Sequence, residues 1–291
     1  MELQRALDYG VTGMGQVAGW LSPLDVAVFT SVLVAQATTS IEGDLAEIGV
    51  WQGKSAILLS HFVNRGETLY AVDVFDLYYP GEVPASPAKP YANPAVFEEN
   101  LSAHGCAEAV TAIASDTRHD PDLVGKLAGR GVRFFHIDGG HSYDHVVADC
   151  STALAAIAES SVIVLDDFMQ IDNPPVTEAI VDTFRGAPNG LVPFATTRKK
   201  LYLASREVVP EYWRCLFALV PAAVTRKRPI LGASSLILNP SRFDLSRDFR
   251  LPTAGADGSN DDVRRWVDEE SSRFPRLEAW LDQNPSVSLN A

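Results

Sequence analysis

Four residues in two short stretches have the types and spacing to do chemistry. One apolar run ends at Asp138, in FFHIDGGHSYDH, and the next ends at Asp166 and Asp167, in VIVLDDF. If the two runs are neighbouring strands of a parallel sheet, their tips share one edge and three carboxylates converge there. Like charges brought together raise each other's pKa and oppose burial. A hard divalent cation resolves the conflict, and oxygen-only donors suit Mg²⁺ or Mn²⁺. His141 follows Asp138 by three residues, past two glycines, and can reach a hydroxyl held at the same ion. A histidine ionising near its ordinary pKa of about 6.5 suits a general base at neutral pH. His145, one helical turn on, reads as a capping residue, and His136 as a packed strand residue.

A second set of candidates sits earlier in the chain. The run LAEI leads directly into EIGVWQGKS, where Gly49 and Gly53 bracket the turn into the next helix. Glycines at such a turn let backbone pass close to a ligand, and a helix N-terminus supplies N–H groups and positive potential. Glu47 and Ser55 flank this turn and are candidate cofactor contacts. The following run ends at Asp73, roughly 20 residues past the glycines, where a carboxylate can accept both hydroxyls of a ribose. The run after that ends in ASDT, which places Ser115 and Asp116 where an adenine amino group could be read.

The elements that must position these residues are legible from periodicity. Short, nearly continuous apolar runs at 45–48, 68–72, 110–114, 132–137 and 162–165 alternate with helix-length segments. Continuous apolar runs fit strands buried on both faces, and their alternation with helices implies right-handed βαβ units. The pair LVPFAT and KLYLAS (191–205) is spaced as a hairpin at the sheet edge. Before the first strand, residues 1–44 are expected to form a helical cap, with a helix opening at Ser22 and proline next to it. Five prolines (80, 84, 87, 90, 94) make residues 78–94 an irregular loop after the second strand, either a lid over the substrate or a surface excursion. Residues 253–260, TAGADGSN, read as a linker before a capped helix, DDVRRWVDEESSRF. The expected organisation is a cap over 1–44, a nucleotide-binding α/β domain over 45–205 and an extension over 206–291.

Composition excludes several classes. Lys and Arg number 24 against 37 Asp and Glu, a formal net charge of −13, which repels phosphate backbones and argues against nucleic acid as the main partner. The short basic cluster TRKRP (225–229) reads as a solvated turn. No apolar run reaches the ~18 residues of a membrane span, and MELQRALDYG lacks the order of a secretory signal. Three scattered cysteines form no CxxC pair, so neither a disulfide framework nor a zinc site is expected and a reducing cytoplasm is the simplest compartment.

Together EIGVWQGKS, Asp73, IDGGHSYDHVVAD and VIVLDDF resemble the class I S-adenosylmethionine-dependent O-methyltransferases. The likeness is greatest to the metal-dependent group around the macrocin O-methyltransferases and cephalosporin-hydroxylase-like proteins, and it covers about residues 20–205. The resemblance implies a Rossmann-like α/β fold with a mostly parallel seven-stranded sheet and helices on both faces. It implies that Asp138, Asp166 and Asp167 hold Mg²⁺ (or Mn²⁺) and that His141 is the base, since the position two after Asp138, an aspartate in some members, is Gly140 here. Catechol-type relatives carry lysine at the His141 position and asparagine at the Asp167 position, so a catechol acceptor is not implied. The implied reaction moves a methyl group from S-adenosylmethionine to a hydroxyl of a small molecule, a sugar or other saccharide. A homo-oligomer, a dimer, is expected. Two rivals stay open: an NAD-dependent oxidoreductase, which leaves the aspartate triad unexplained, and a non-catalytic or hydroxylase-associated protein that keeps the cofactor fold.

Overall fold

The computed structural model describes residues 2–75, 92–127, 129, 131–250 and 260–272. The chain opens with α1 (Leu3–Val11) and α2 (Pro23–Thr38). Ser22 caps α2 as expected: its hydroxyl accepts from the Asp25 backbone N–H, and the Asp25 carboxylate accepts from the Ser22 N–H in return. This reciprocal pairing satisfies two donors that the first turn would otherwise leave open.

The alternating part follows: β1 (Asp44–Ile48), α3 (Lys54–Ser60), β2 (Leu69–Asp73), α4 (Pro94–Ala103), β3 (Val110–Ala114), α5 (Leu123–Leu127), β4 (Val132–Ile137), α6 (Tyr143–Ala156), β5 (Ile157–Leu165), α7 (Pro174–Phe184), β6 (Leu191–Thr196) and β7 (Leu201–Ser205). The extension adds α8 (Val209–Leu219), β8 (Val224–Ile230), β9 (Ala233–Leu238), α9 (Leu245–Asp248) and α10 (Asn260–Ser272). The strands form one sheet in the order β3-β2-β1-β4-β5-β7-β6-β9-β8. Strands β1 to β5 pair in parallel, and β7 runs antiparallel between β5 and β6.

Both faces of the sheet are covered, which is why its strands read as continuous apolar runs. Side chains alternate between faces. Leu45, Phe134, Val162, Val164 and Tyr202 pack on the side of α2 and α8. Ala46, Phe135, Ile163 and Leu203 pack on the side of α6 and α7.

The sheet departs from the expected one in two respects. It has nine strands rather than seven, because the extension contributes β9, parallel to β6, and β8 beyond it. The 191–205 pair is antiparallel as expected but lies inside the sheet, not at its edge. The basic stretch 225–229 is no turn: it forms most of edge strand β8, with Lys227 buried over the Trp213 ring. Arg226, Arg228 and Pro229 suit such an edge, since charge and proline discourage pairing with another chain. At the proline-rich stretch, Asn93 caps α4 and Pro94 is its first residue; residues 78–91 lie outside the described residues. Residue 260 begins α10 rather than ending a linker, and 253–259 also lie outside the described residues. No helix among the described residues is long and apolar enough to cross a membrane.

Candidate active site

Strand register places the site. Across the sheet, Glu47 pairs with His136, His136 with Val164 and Val164 with Tyr202. Two residues further along the same face come Gly49, Asp138, Asp166 and, on the antiparallel β7, Lys200. The Asp138 N–H donates to the Ile48 carbonyl and the Asp166 N–H to the Ile137 carbonyl, so the ladder continues past the strand ends. Gly49 is required where β1 leaves the sheet. Its φ is +85°, and a Cβ there would lie 1.9 Å from the Asp138 carbonyl oxygen. The glycine turn and the tip of β4 are therefore in backbone contact.

On the nucleotide side, the turn and Asp73 are joined directly: the Trp51 N–H donates to Asp73 Oδ2 at 3.0 Å. Among the described residues no lysine or arginine forms an ion pair with the Asp73 carboxylate; burial raises its pKa against the backbone N–H groups that hold it. A carboxylate held in place without a counter-cation suits neutral hydroxyl donors such as a ribose. Gly53 takes φ +89° at the start of α3.

Four other expected contacts sit differently. Glu47 is completely buried. Its Oε1 takes a hydrogen bond from the Ser55 hydroxyl and faces His136 Nδ1 at 2.7 Å, while Oε2 has no partner among the described residues. Glu47 and Ser55 thus support the turn from below rather than line its outer face. Asp116 is clamped by the Arg118 guanidinium, with Nη2 2.6 Å from Oδ2 and Nε 3.1 Å from Oδ1, and the Ser115 hydroxyl donates to Asp120. Neither side chain is posed to read a base as it stands. Beneath the β4 tip, Asp149 of α6 accepts from Thr117, and burial pushes its carboxyl up to about 7.

On the metal side, two of the three expected aspartates meet. Asp138 and Asp166 are within hydrogen-bonding reach, and one ligand atom each of His136, Asp138 and Asp166 lies within 4.8 Å of the others. Burial, then the Asp166 charge, push Asp138 well above the usual carboxylate range. Asp166 is held below that range: burial opposes its charge, but Lys200 and then His136 outweigh burial. Asp167 does not join the pair. Its backbone takes φ +54°, and its carboxylate finds other partners. Oδ2 lies 3.2 Å from His141 Nε2 and accepts from Asn173 Nδ2 at 2.7 Å. The expected base is thus held by the second residue of the aspartate pair, and the His141 side chain is half exposed. At the foot of α6, Ser142 is the cap, and His145 supports it through Nδ1.

The donor set fits a divalent ion. Asp138 and Asp166 offer oxygen atoms, and among the described residues Glu47, Asp138 and Asp166 have one buried ammonium, Lys200, beside them. That imbalance leaves negative charge for a further cation to neutralise.

Lys200 is the residue sequence reasoning missed. Its Nζ donates to Asp166 Oδ2 and lies 3.2 Å from His136 Nε2. An ammonium only donates, so Nε2 accepts and Nδ1–H donates to Glu47. A continuous, mostly buried chain results: Ser55, Glu47, His136, Lys200, Asp166, Asp138. The available signal was the period-2 placement of Lys200 ahead of Tyr202 and Ala204, both core residues.

Residues 46–168 match the family model described as a methyltransferase domain. Within the sheet the strands β3-β2-β1-β4-β5-β7-β6 carry the matched region and its flank, and the two further strands extend the β6 side. No curated protein matches the chain. Similar solved structures include the O-methyltransferase NovP, at 16% identity over 60% of this chain and 80% of that one, with a TM-score of 0.49. The calicheamicin methyltransferase CalS11 is 16% identical over 61% and 77%, with a TM-score of 0.48. An O-methyltransferase from Bacillus cereus in complex with SAH is 16% identical over 70% and 90%, with a TM-score of 0.46. Likeness at this level carries no information on substrate or metal.

Proposed function

We propose that this methyltransferase moves a methyl group from S-adenosylmethionine to a hydroxyl oxygen of a small molecule, a sugar or saccharide, with Mg²⁺ or Mn²⁺ at Asp138 and Asp166. The observation that carries the reading is the meeting of those two carboxylates one register step from Gly49, with His141 held by Asp167 on the open side. The donor brings an already activated methyl group, and the ion would lower the pKa of the acceptor hydroxyl. The chain's own residues supply the rest. Asp73 receives the ribose hydroxyls, and Gly49 and Gly53 let the backbone approach the cofactor. His141 takes the acceptor proton at Nδ1, because its Nε2–H donates to Asp167, which fixes the ring. Asp167 is read here as the orienting partner of His141 rather than as an ion ligand. Ser115 and Asp116 stay in the cofactor assignment, provided Asp116 releases Arg118 when an adenine arrives. Glu47 and Ser55 act at one remove, by holding the turn. The sugar assignment rests on the resemblance carried by IDGGHSYDHVVAD and VIVLDDF.

Calorimetry separates this reading from the oxidoreductase rival, which would use the same Asp73. Titration with S-adenosylhomocysteine should give saturable one-to-one binding, and titration with NAD none. Saturable NAD binding with no heat from S-adenosylhomocysteine would reverse the assignment.

A further inference from the structure

We propose that Lys200 is a positioning residue that sets how tightly Asp138 and Asp166 hold a divalent cation. The inference rests on the metal reading above and adds a residue to it. Lys200 is 1% exposed, so it meets neither solvent nor an acceptor. It is anchored from three sides. Asp166 Oδ2 takes one of its protons, His136 Nε2 stands 3.2 Å away, and the Phe29 ring centroid lies 5.8 Å from Nζ. Asp25 lies one turn before Phe29 on the same face of α2, which places a third carboxylate near the ammonium beside its ion pair with Asp166.

Two consequences follow from a fixed positive charge on a ligand carboxylate. It holds Asp166 in one orientation and allows several carboxylates to be buried together before any ion arrives. It also repels a second cation approaching the same oxygens, and in a partly desolvated site that repulsion is strong. A divalent ion is then held less tightly than the carboxylates alone would hold it. Removing the ammonium should tighten ion binding. Removing the Asp25 charge, which attracts the ammonium and an incoming cation alike, should loosen it. Neither residue is an ion ligand in this reading. A purely structural role would impair binding in both variants and could not move it in opposite directions.

The test is calorimetric titration of MnCl₂ into the full chain as wild type, Lys200→Met, Lys200→Arg and Asp25→Asn, at one pH and one salt concentration. Thermal denaturation would verify that each variant is folded. Lys200→Met should bind Mn²⁺ more tightly, on the order of 10-fold or more, and Asp25→Asn more weakly, by roughly 3-fold or more. Lys200→Arg, which keeps the charge, should stay near wild type. Unchanged or weaker binding by folded Lys200→Met overturns the proposal. If Lys200→Met does not fold, wild-type affinity in Asp25→Asn overturns it instead. Absence of Mn²⁺ binding in wild type and every variant removes the metal reading and this inference with it, whereas binding without the opposite shifts removes the inference alone.

Discussion

Replacing His141 with alanine should lower turnover by ~10²–10⁴-fold, the usual worth of a general base, while affinity for S-adenosylhomocysteine stays at the wild-type value. The geometry supports this split. His141 stands on the loop beyond β4, half exposed, with Nε2 held 3.2 Å from Asp167 Oδ2. It touches neither the glycine turn nor Asp73, so its loss leaves the cofactor side intact. It also lies outside both hydrophobic clusters, so the fold should tolerate the change. Single-turnover methyl transfer and cofactor calorimetry on the same preparation check both halves of the statement. Turnover equal to wild type across the pH range would remove His141 from the reaction.

A larger loss is expected from Asp138→Asn, or from excess EDTA on the wild type. An ion that polarises the acceptor oxygen supplies several kcal/mol of transition-state stabilisation, so activity should fall by about 10³-fold or more. Stability should move the other way. In the ion-free protein, burial and then the Asp166 charge work against ionising Asp138. The neutral amide of asparagine carries no such cost at nearly constant volume, so the melting temperature without metal should be unchanged or higher. Added Mn²⁺ should then raise the melting temperature of wild type but not of the variant. A fully active Asp138→Asn enzyme, or full activity after exhaustive chelation, would take the ion out of the account.

The strands and their tips were legible because parallel strands buried on both faces must be apolar throughout, so each run and its acidic end stood out. Asp73, Asp138 and Asp166 were found in this way. The helix starting at Ser22 was legible from local cap chemistry. Other features depend on pairings that sequence does not display. Lys200 lies 34 residues from Asp166 and 64 from His136, and only the antiparallel register of β7 against β5 brings the three together. In sequence it looked like the polar start of an edge hairpin. The separate partners of Asp167 go with a left-handed backbone at that one residue, φ +54°, and two adjacent aspartates do not reveal which of them joins Asp138. Asp116 looked available because its partner, Arg118, bonds to it through a local turn rather than through any periodic pattern. The extension was opaque because β8 carries charge and proline, as edge strands do, and so lacked the apolar signature of the others.

The most direct measurement is anomalous diffraction at the manganese edge, from crystals grown with Mn²⁺ and S-adenosylhomocysteine. The account predicts a manganese peak ligated by Asp138 and Asp166, beside the cofactor sulfur and within reach of a hydroxyl facing His141. Cofactor bound at the glycine turn, with no manganese peak and the two carboxyl groups still hydrogen-bonded to each other, would contradict it.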